Sequence, residues 1–175
     1  MLLSDDTITL RAVQPDDLDF LFLLENSDGA RRCGLSSDHV SRQILWEYIE
    51  NYSDNIFADK QLRLVITEAA SAKPIGTIDI SDFDARHRRG FVGIIINEAY
   101  RRHGYATMAL NLLCRYASNH IGMYSLAALI ATDNVASLAL FSRCGFDNCG
   151  TLRGWVKHGA SRLDVVLCQK LLQNL

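Results

Sequence analysis

The sequence lacks any apolar run near the roughly 18 residues a membrane span needs. Its opening, Met1 to Asp6, has neither the basic segment nor the apolar stretch of a secretory leader. Together these absences lead to the expectation of a soluble protein in a reducing, cytoplasmic setting, with no membrane partner. The five cysteines (Cys33, Cys114, Cys144, Cys149 and Cys168) are odd in number and include no C-x-x-C pair. Neither a disulfide framework nor a zinc site is indicated, no metal is expected, and buried thiols acting as small apolar side chains are the default. Positive charge is not in excess. Eighteen Lys and Arg against 20 Asp and Glu give a formal net charge of -2, which argues against nucleic acid as a partner. Internal repeats, low-complexity segments and linkers are absent, so residues 1–175 read as a single domain.

A chain of this size buries about two thirds of the surface it exposes when unfolded, enough to hold a core without staples. Thr7–Val13 alternates polar and apolar residues, as a half-buried strand does. Pro15-Asp16-Asp17 then offers a helix start, followed by the apolar stripe Leu18, Leu21, Phe22 and Leu24. Asn26 to Gly34 reads as a loop, and a second helix is expected from about Ser37 to Tyr52. Leu62–Thr67 and Ile75–Ile80 read as a hairpin, Asp82 to Arg89 as a charged loop, and Gly90–Ile96 as a central strand covered on both faces. Thr107 to His120 is predicted helical, with Gly122 placed to end it. Ser125–Ala131 is a strand, Asn134 to Arg143 a short helix, and Gly150–Val156 and Leu163–Leu171 the last two strands. The order predicts a mixed α/β fold, one central sheet of six or seven strands with flanking helices.

The segment that carries chemistry is Ile94-Ile-Ile-Asn-Glu-Ala-Tyr-Arg-Arg-His-Gly-Tyr-Ala-Thr107, where the apolar strand enters a basic, glycine-containing loop and then a helix. The first amides of a helix lack internal partners and sit at its positive end. A loop folding back over them forms a site for a phosphate or pyrophosphate. Gly104 lets the backbone approach a ligand, Ala106 keeps the helix entry clear, and Arg101 and Arg102 can add charge-assisted contacts. The alternative is an ordinary strand-to-helix junction with a basic surface turn. Neither a Walker loop nor a GxGxxG fingerprint is present. The basic cluster Arg86, His87, Arg88 and Arg89 reads equally as a solvated loop or an anion site.

Arg101-Arg-His-Gly-Tyr-Ala106 resembles the R/Q-x-x-G-x-G/A loop of the GNAT superfamily of N-acetyltransferases. Asn134-Val-Ala-Ser-Leu-Ala-Leu-Phe-Ser-Arg-Cys-Gly-Phe146 resembles the family's N-x-x-S-x-x-L-Y-x-x-x-G-F block. Ile8-Thr-Leu-Arg11 followed by Pro15-Asp-Asp17 is similar to its usual opening. The branch that looks most similar holds the ribosomal-protein and spermidine N-acetyltransferases. The resemblance implies a GNAT-like acyl-CoA N-acyltransferase fold and an enzyme that moves an acetyl group from acetyl-CoA to a primary amine. The acceptor would be a small molecule, a polyamine or a protein N-terminus. Acetyl-CoA would be the co-substrate, and a homodimer is implied because similar proteins often pair.

The same resemblance implies roles for residues. The coenzyme would lie where Phe91–Ile96 and Ser125–Ala131 splay apart. Backbone groups of Ile94 and Ile96, on either side of Ile95, would pair with the pantetheine amides like an added strand. The turn Arg101, Arg102, His103, Gly104, Tyr105, Ala106 and Thr107 would hold the pyrophosphate. Asn134, Ser137 and Phe141 would complete the contacts, with Asn134 equally readable as a helix N-cap. A backbone N–H near Ile94 would stabilise the oxyanion. Asp79 is the first choice of general base, since strand alternation puts it on one face with Thr77; Asp82 and Glu98 are weaker candidates. Each also reads as a solvated surface carboxylate. Where many similar enzymes carry a tyrosine that protonates the leaving thiolate, this chain has Phe141, which has no proton to give. A non-catalytic acyl-CoA-binding module is therefore the alternative. Cys144, one helical turn on, reads as a core thiol. The acceptor groove would be lined by residues 33–46 and 152–164. Trp46, Trp155 and Phe83 are candidates for an aromatic wall, and Glu47 and Asp164 for pairing an amine. The single acid and two arginines of Arg31–Asp38 count against spermidine.

Overall fold

Alternating apolar residues and turn signals along the chain resolve, in a computed structural model, into one eight-stranded sheet in the order β1-β2-β3-β4-β5-β6-β8-β7. Residues 3–27, 30 and 39–172 are described. The strands are β1 (Leu3–Ser4), β2 (Ile8–Ala12), β3 (Leu62–Glu68), β4 (Pro74–Asp84), β5 (Arg89–Ile96), β6 (Ser125–Ala131), β7 (Asp147–His158) and β8 (Ser161–Leu171). The described helices are α1 (Leu18–Glu25), α2 (Arg42–Asn51), α3 (Ile56–Asp59), α4 (Tyr105–Tyr116) and α5 (Val135–Arg143). Every neighbouring pair is antiparallel except β5 with β6. That one parallel contact arises because α4 carries the chain across the sheet between them.

The sheet separates two environments. Leu62, Leu64 and Ile66 of β3 and Ile78 and Ile80 of β4 share a buried core with Leu110 and Leu113 of α4. Alternation then turns Arg63, Val65, Thr77 and Asp79 to the opposite face. There Arg63 meets Glu25 of α1 and the ring of Tyr48 of α2. At the entry to α1, Asp17 accepts both guanidinium nitrogens of Arg11 at 2.7 Å and the Gln14 N–H at 2.8 Å. This ties strand β2 to the helix that covers the polar face.

Several expectations need correction. The sheet has one strand more than the upper expectation, because β1 is two residues long and carries no pattern a sequence reading can use. The charged loop expected over Asp82–Arg89 shrinks to a turn over residues 85–88, with strand on both sides of it. β4 continues to Asp84 through a register shift after Ser81, with Asp82 at φ 49°. The helix expected from Thr107 to His120 starts earlier, at Tyr105, and gives way after Tyr116 to a wider π-type turn over Ala117–Ile121 that ends on Gly122. The short helix α3 stands between α2 and β3, where the sequence reading assigned no element, its Asn55 side chain accepting from the Phe57 N–H. Of the helix expected from Ser37, the described part begins after Ser41, whose hydroxyl caps the Ile44 N–H. The loop assigned to Asn26–Gly34 and the acceptor segment Arg31–Asp38, Cys33 included, lie largely or wholly outside the described residues.

Candidate active site

Strands β5 and β6 pair only through Arg89–Phe91 and Ser125–Ala127, although β5 runs on to Ile96 and β6 to Ala131. Past Phe91 the two strands no longer bond to one another, and a wedge opens between them. The Asn97 N–H donates to the Ile75 carbonyl at 2.8 Å. With the antiparallel register of β4 and β5, that bond fixes the alternation, so the N–H and C=O groups of Val92, Ile94 and Ile96 point away from β4 toward the wedge. One of them is taken: the Ile96 carbonyl accepts from Arg101 Nε at 3.0 Å. Those of Ile94 remain as a strand edge, and Ile95 turns its backbone to β4.

The wedge leads to the turn before α4. Gly104 caps that helix in the left-handed region (φ 83°), and Arg102 sits there too (φ 67°). The Thr107 and Met108 N–H groups both bend back to the Gly104 carbonyl, at 3.0 and 3.2 Å. Among the described residues, no acceptor meets the N–H groups of His103, Gly104, Tyr105 or Ala106. Arg101, Arg102, His103 and Gly104 are exposed. Open amides at a positive helix end, flanked by guanidinium groups, suit a diphosphate. The residues present therefore fit the phosphate and pantetheine parts of a coenzyme A thioester. Tyr105 is anchored by its hydroxyl, which donates to Glu68 at 2.9 Å, and its ring stacks on His103. Asn134 caps α5, accepting the Ser137 N–H at 3.1 Å.

Asp79 lies on the polar face, directly opposite Gly93 of β5 and beside Arg63 of β3. Its side chain is 25% exposed and its Oδ1 is 3.7 Å from Arg63 Nη2. Burial pushes the Asp79 carboxyl above the usual carboxylate range; Arg63 opposes that shift and Glu25 adds to it. Arg63 is fixed from several sides. Nη1 donates to Glu25 Oε1 at 3.0 Å, its guanidinium lies 5.5 Å from the Tyr48 ring centre, and its N–H donates to the Tyr52 hydroxyl at 2.6 Å. Burial works against its charge, but the carboxylates of Asp79 and Glu25 hold it protonated. Burial likewise pushes the Tyr52 hydroxyl up to about 12, so it stays neutral. Two residues from Asp79 on the same face, the buried Thr77 hydroxyl has no hydrogen-bond partner among the described residues. Such an orphan marks a place where a polar ligand atom or water would be favourable.

Other candidates fall elsewhere. Asp82 and Glu98 are exposed, one on the β4 bulge and the other on the turn after β5. Phe141 is 3% exposed and packs edge-on against Phe146, with ring centres 4.9 Å apart. Phe83 belongs to the core against Phe57, so it forms no aromatic wall with Trp46 and Trp155. Asp164 already accepts the Gly154 N–H at 2.7 Å, and Glu47 accepts from Gln43. Burial raises the Cys144 thiol and pushes Cys114 up to about 11, making both inert. A separate cleft of about 380 Å³, lined by Met108, Asn111, Arg115 and Lys170 among others, shares no residue with the wedge. No group of three or more His, Cys, Asp or Glu among the described residues could hold a metal. Reasoning from sequence missed Arg63 and Glu25. The available signal was one arginine inside the otherwise apolar run Leu62–Ile66.

The geometry has counterparts among known proteins. A family model described as an acetyltransferase (GNAT) domain matches residues 7–147. An uncharacterized N-acetyltransferase, YoaA of Bacillus subtilis, is 25% identical over 164 residues, covering 93% of this chain and 92% of the relative. The spermidine N(1)-acetyltransferase of Vibrio cholerae is 26% identical over 145 residues, covering 83% and 82%. In structure, a spermidine N-acetyltransferase from Vibrio cholerae in complex with CoA and spermine superposes with a TM-score of 0.88 at 24% identity, over 96% of this chain and 97% of the other.

Proposed function

This chain belongs to the GNAT acetyltransferase family and is an acetyl-CoA-dependent N-acetyltransferase, and from that premise we propose that it acetylates the primary amine of a small polyamine-like cation. The observation that carries the reading is the wedge between β5 and β6, with Asp79 over its shoulder at Gly93. Two features favour a cationic acceptor. Residues 47–59 carry Glu47, Glu50, Asp54 and Asp59 with no intervening Lys or Arg, and such a field gathers cations. A relative that covers most of the chain is a spermidine acetyltransferase.

An alkylammonium with a pKa of roughly 10.4 is neutral in only about one molecule per few thousand at pH 7, so a proton acceptor is needed. Asp79 takes that proton, directly or through one water. The freed nitrogen attacks the thioester carbonyl carbon and the C–N bond forms. The Ile94 N–H faces the developing oxyanion. The C–S bond then breaks, the attacking nitrogen loses its second proton to solvent water, and a thiolate of pKa roughly 8–9 leaves without a side-chain proton donor, which accommodates Phe141. The turn from Arg101 to Thr107 holds the diphosphate, while Asn134 and Ser137 order the neighbouring helix start.

The test is release of free CoA thiol from acetyl-CoA across spermidine, spermine, putrescine, peptides with free N-termini and amino sugars. Turnover is expected with a polyamine. Asp79→Asn should lower kcat/KM by at least about 100-fold and leave acetyl-CoA affinity unchanged. Turnover confined to peptides would overturn the acceptor class. Binding of acetyl-CoA with no turnover on any amine would favour the second reading that Phe141 motivates, a non-catalytic acyl-CoA-binding module. Under that reading Phe141→Tyr should gain activity.

A further inference from the structure

Among the described residues Arg63 is the one guanidinium that contacts the assigned base, and nothing in the mechanism above uses it. It is not a surface arginine free to swing: its side chain is 24% exposed. It is clamped by Glu25 from the end of α1, lies over the Tyr48 ring of α2, and has its own backbone N–H bonded to the Tyr52 hydroxyl. Tyr48 and Tyr52 stack on each other at 5.4 Å, and Gln61 donates to the Tyr48 hydroxyl at 3.0 Å. Two helices thus fix one cation of β3 beside one carboxylate.

The groups facing Asp79 can be enumerated by element. β3 presents Arg63, α1 presents Glu25 and α2 presents Tyr48, whose hydroxyl burial keeps neutral. β5 presents Gly93, which brings no charge and no side chain. Among the described residues the carboxylate therefore feels one nearby positive charge and one more distant negative charge. The negative charge reaches it across the same guanidinium that both acids share. The geometry is a three-member row, Glu25–Arg63–Asp79, with contacts of 3.0 and 3.7 Å. The shorter contact is to Glu25, so the guanidinium is held mainly by the acid that does not face the wedge.

We propose that Arg63 is a positioning residue for acetyl transfer: it aims the Asp79 carboxylate across Gly93 and keeps it available as proton acceptor, while Glu25 holds Arg63 and limits how tightly it grips Asp79. The proposal rests on the assignment of Asp79 as base. It predicts opposite effects from the two partners. Loss of Arg63 removes the attraction that favours the ionised carboxylate. Loss of the Glu25 charge removes a repulsion and frees the guanidinium for Asp79.

The test is a pH titration of the Asp79 side-chain carboxyl carbon by NMR in the full chain labelled with ¹³C-aspartate, the signal assigned by its absence in Asp79→Asn. This readout needs no acceptor. Arg63→Met should move the midpoint to higher pH by about one pH unit or more. Arg63→Lys should keep it near the wild-type value, and Glu25→Gln should move it to lower pH. An unmoved midpoint in Arg63→Met, or shifts of the same sign in Arg63→Met and Glu25→Gln, overturns the proposal. If circular dichroism shows that Arg63→Met does not fold, Glu25→Gln and Arg63→Lys decide alone. The base assignment is judged separately by turnover of Asp79→Asn, so the failure of one is distinguishable from the failure of the other.

Discussion

At the scale of single residues, the site turns on what stands next to Asp79. Gly93 stands in close approach there: a Cβ at that position would lie 3.1 Å from Asp79 Oδ2, so the carboxylate would have to give way. We expect Gly93→Ala to push the carboxylate aside and lower kcat by about tenfold or more, because small misplacements of a reacting group are costly. Acetyl-CoA affinity should stay at the wild-type value, since the turn proposed to hold the diphosphate is untouched. Steady-state kinetics with calorimetric binding check both halves, and an equal loss of kcat and affinity would count against the assignment. The placement of Asp79 on one face with Thr77 was legible, because Thr77-Ile-Asp-Ile80 alternates and one acid in an apolar strand stands out. Its partners were not. Arg63 and Glu25 are 38 residues apart, and only the packing of α1 over β3 brings them together. Asn134 shows the reverse case, where sequence left two roles open. The structure realises the cap to Ser137 and leaves contact with the coenzyme as a proposal.

At the scale of elements, the turn into α4 carries the anion-binding argument. Gly104 has φ 83°, a conformation that costs an L-residue about 1–2 kcal/mol. Space is not the constraint, since an added Cβ would meet only Met108 Cε, at 3.8 Å. Two substitutions separate strain from charge. Gly104→Ala should lower the thermal midpoint and weaken acetyl-CoA binding only modestly. Gly104→Asp adds a negative charge at the proposed diphosphate site, and should weaken binding by about 100-fold or more. Titration calorimetry measures both, and equal affinities for the two variants would remove the electrostatic account. Most elements were readable because apolar periodicity is strong in β3 to β6 and in α4. Their ends were not. β1 has two residues, α3 has four, and β4 extends through a bulge that a charged sequence disguises. These features are set by neighbouring strands, not by local pattern.

At the scale of the whole molecule, one topological fact organises the rest. A sheet that is antiparallel everywhere else has a single parallel contact, and that contact stops after Phe91. The split leaves the Ile94 backbone without a strand partner on one side, places Gly104 at the mouth of the wedge's helix, and sets Asp79 one strand away on the opposite face from α4. The order of elements and the two sequence blocks around Arg101–Ala106 and Asn134–Phe146 made this arrangement foreseeable. The acceptor groove expected between residues 33–46 and 152–164 is less so, because segments so far apart in sequence are brought together only by packing that no local motif records, and residues 33–38 lie outside the described residues. The most direct measurement is a crystal structure of the full chain grown with acetyl-CoA. It should show the diphosphate on the amides of Gly104 to Ala106 and the pantetheine hydrogen-bonded along Ile94 in the split between β5 and β6. Coenzyme bound elsewhere, with those amides and that strand edge uncontacted, would contradict the account.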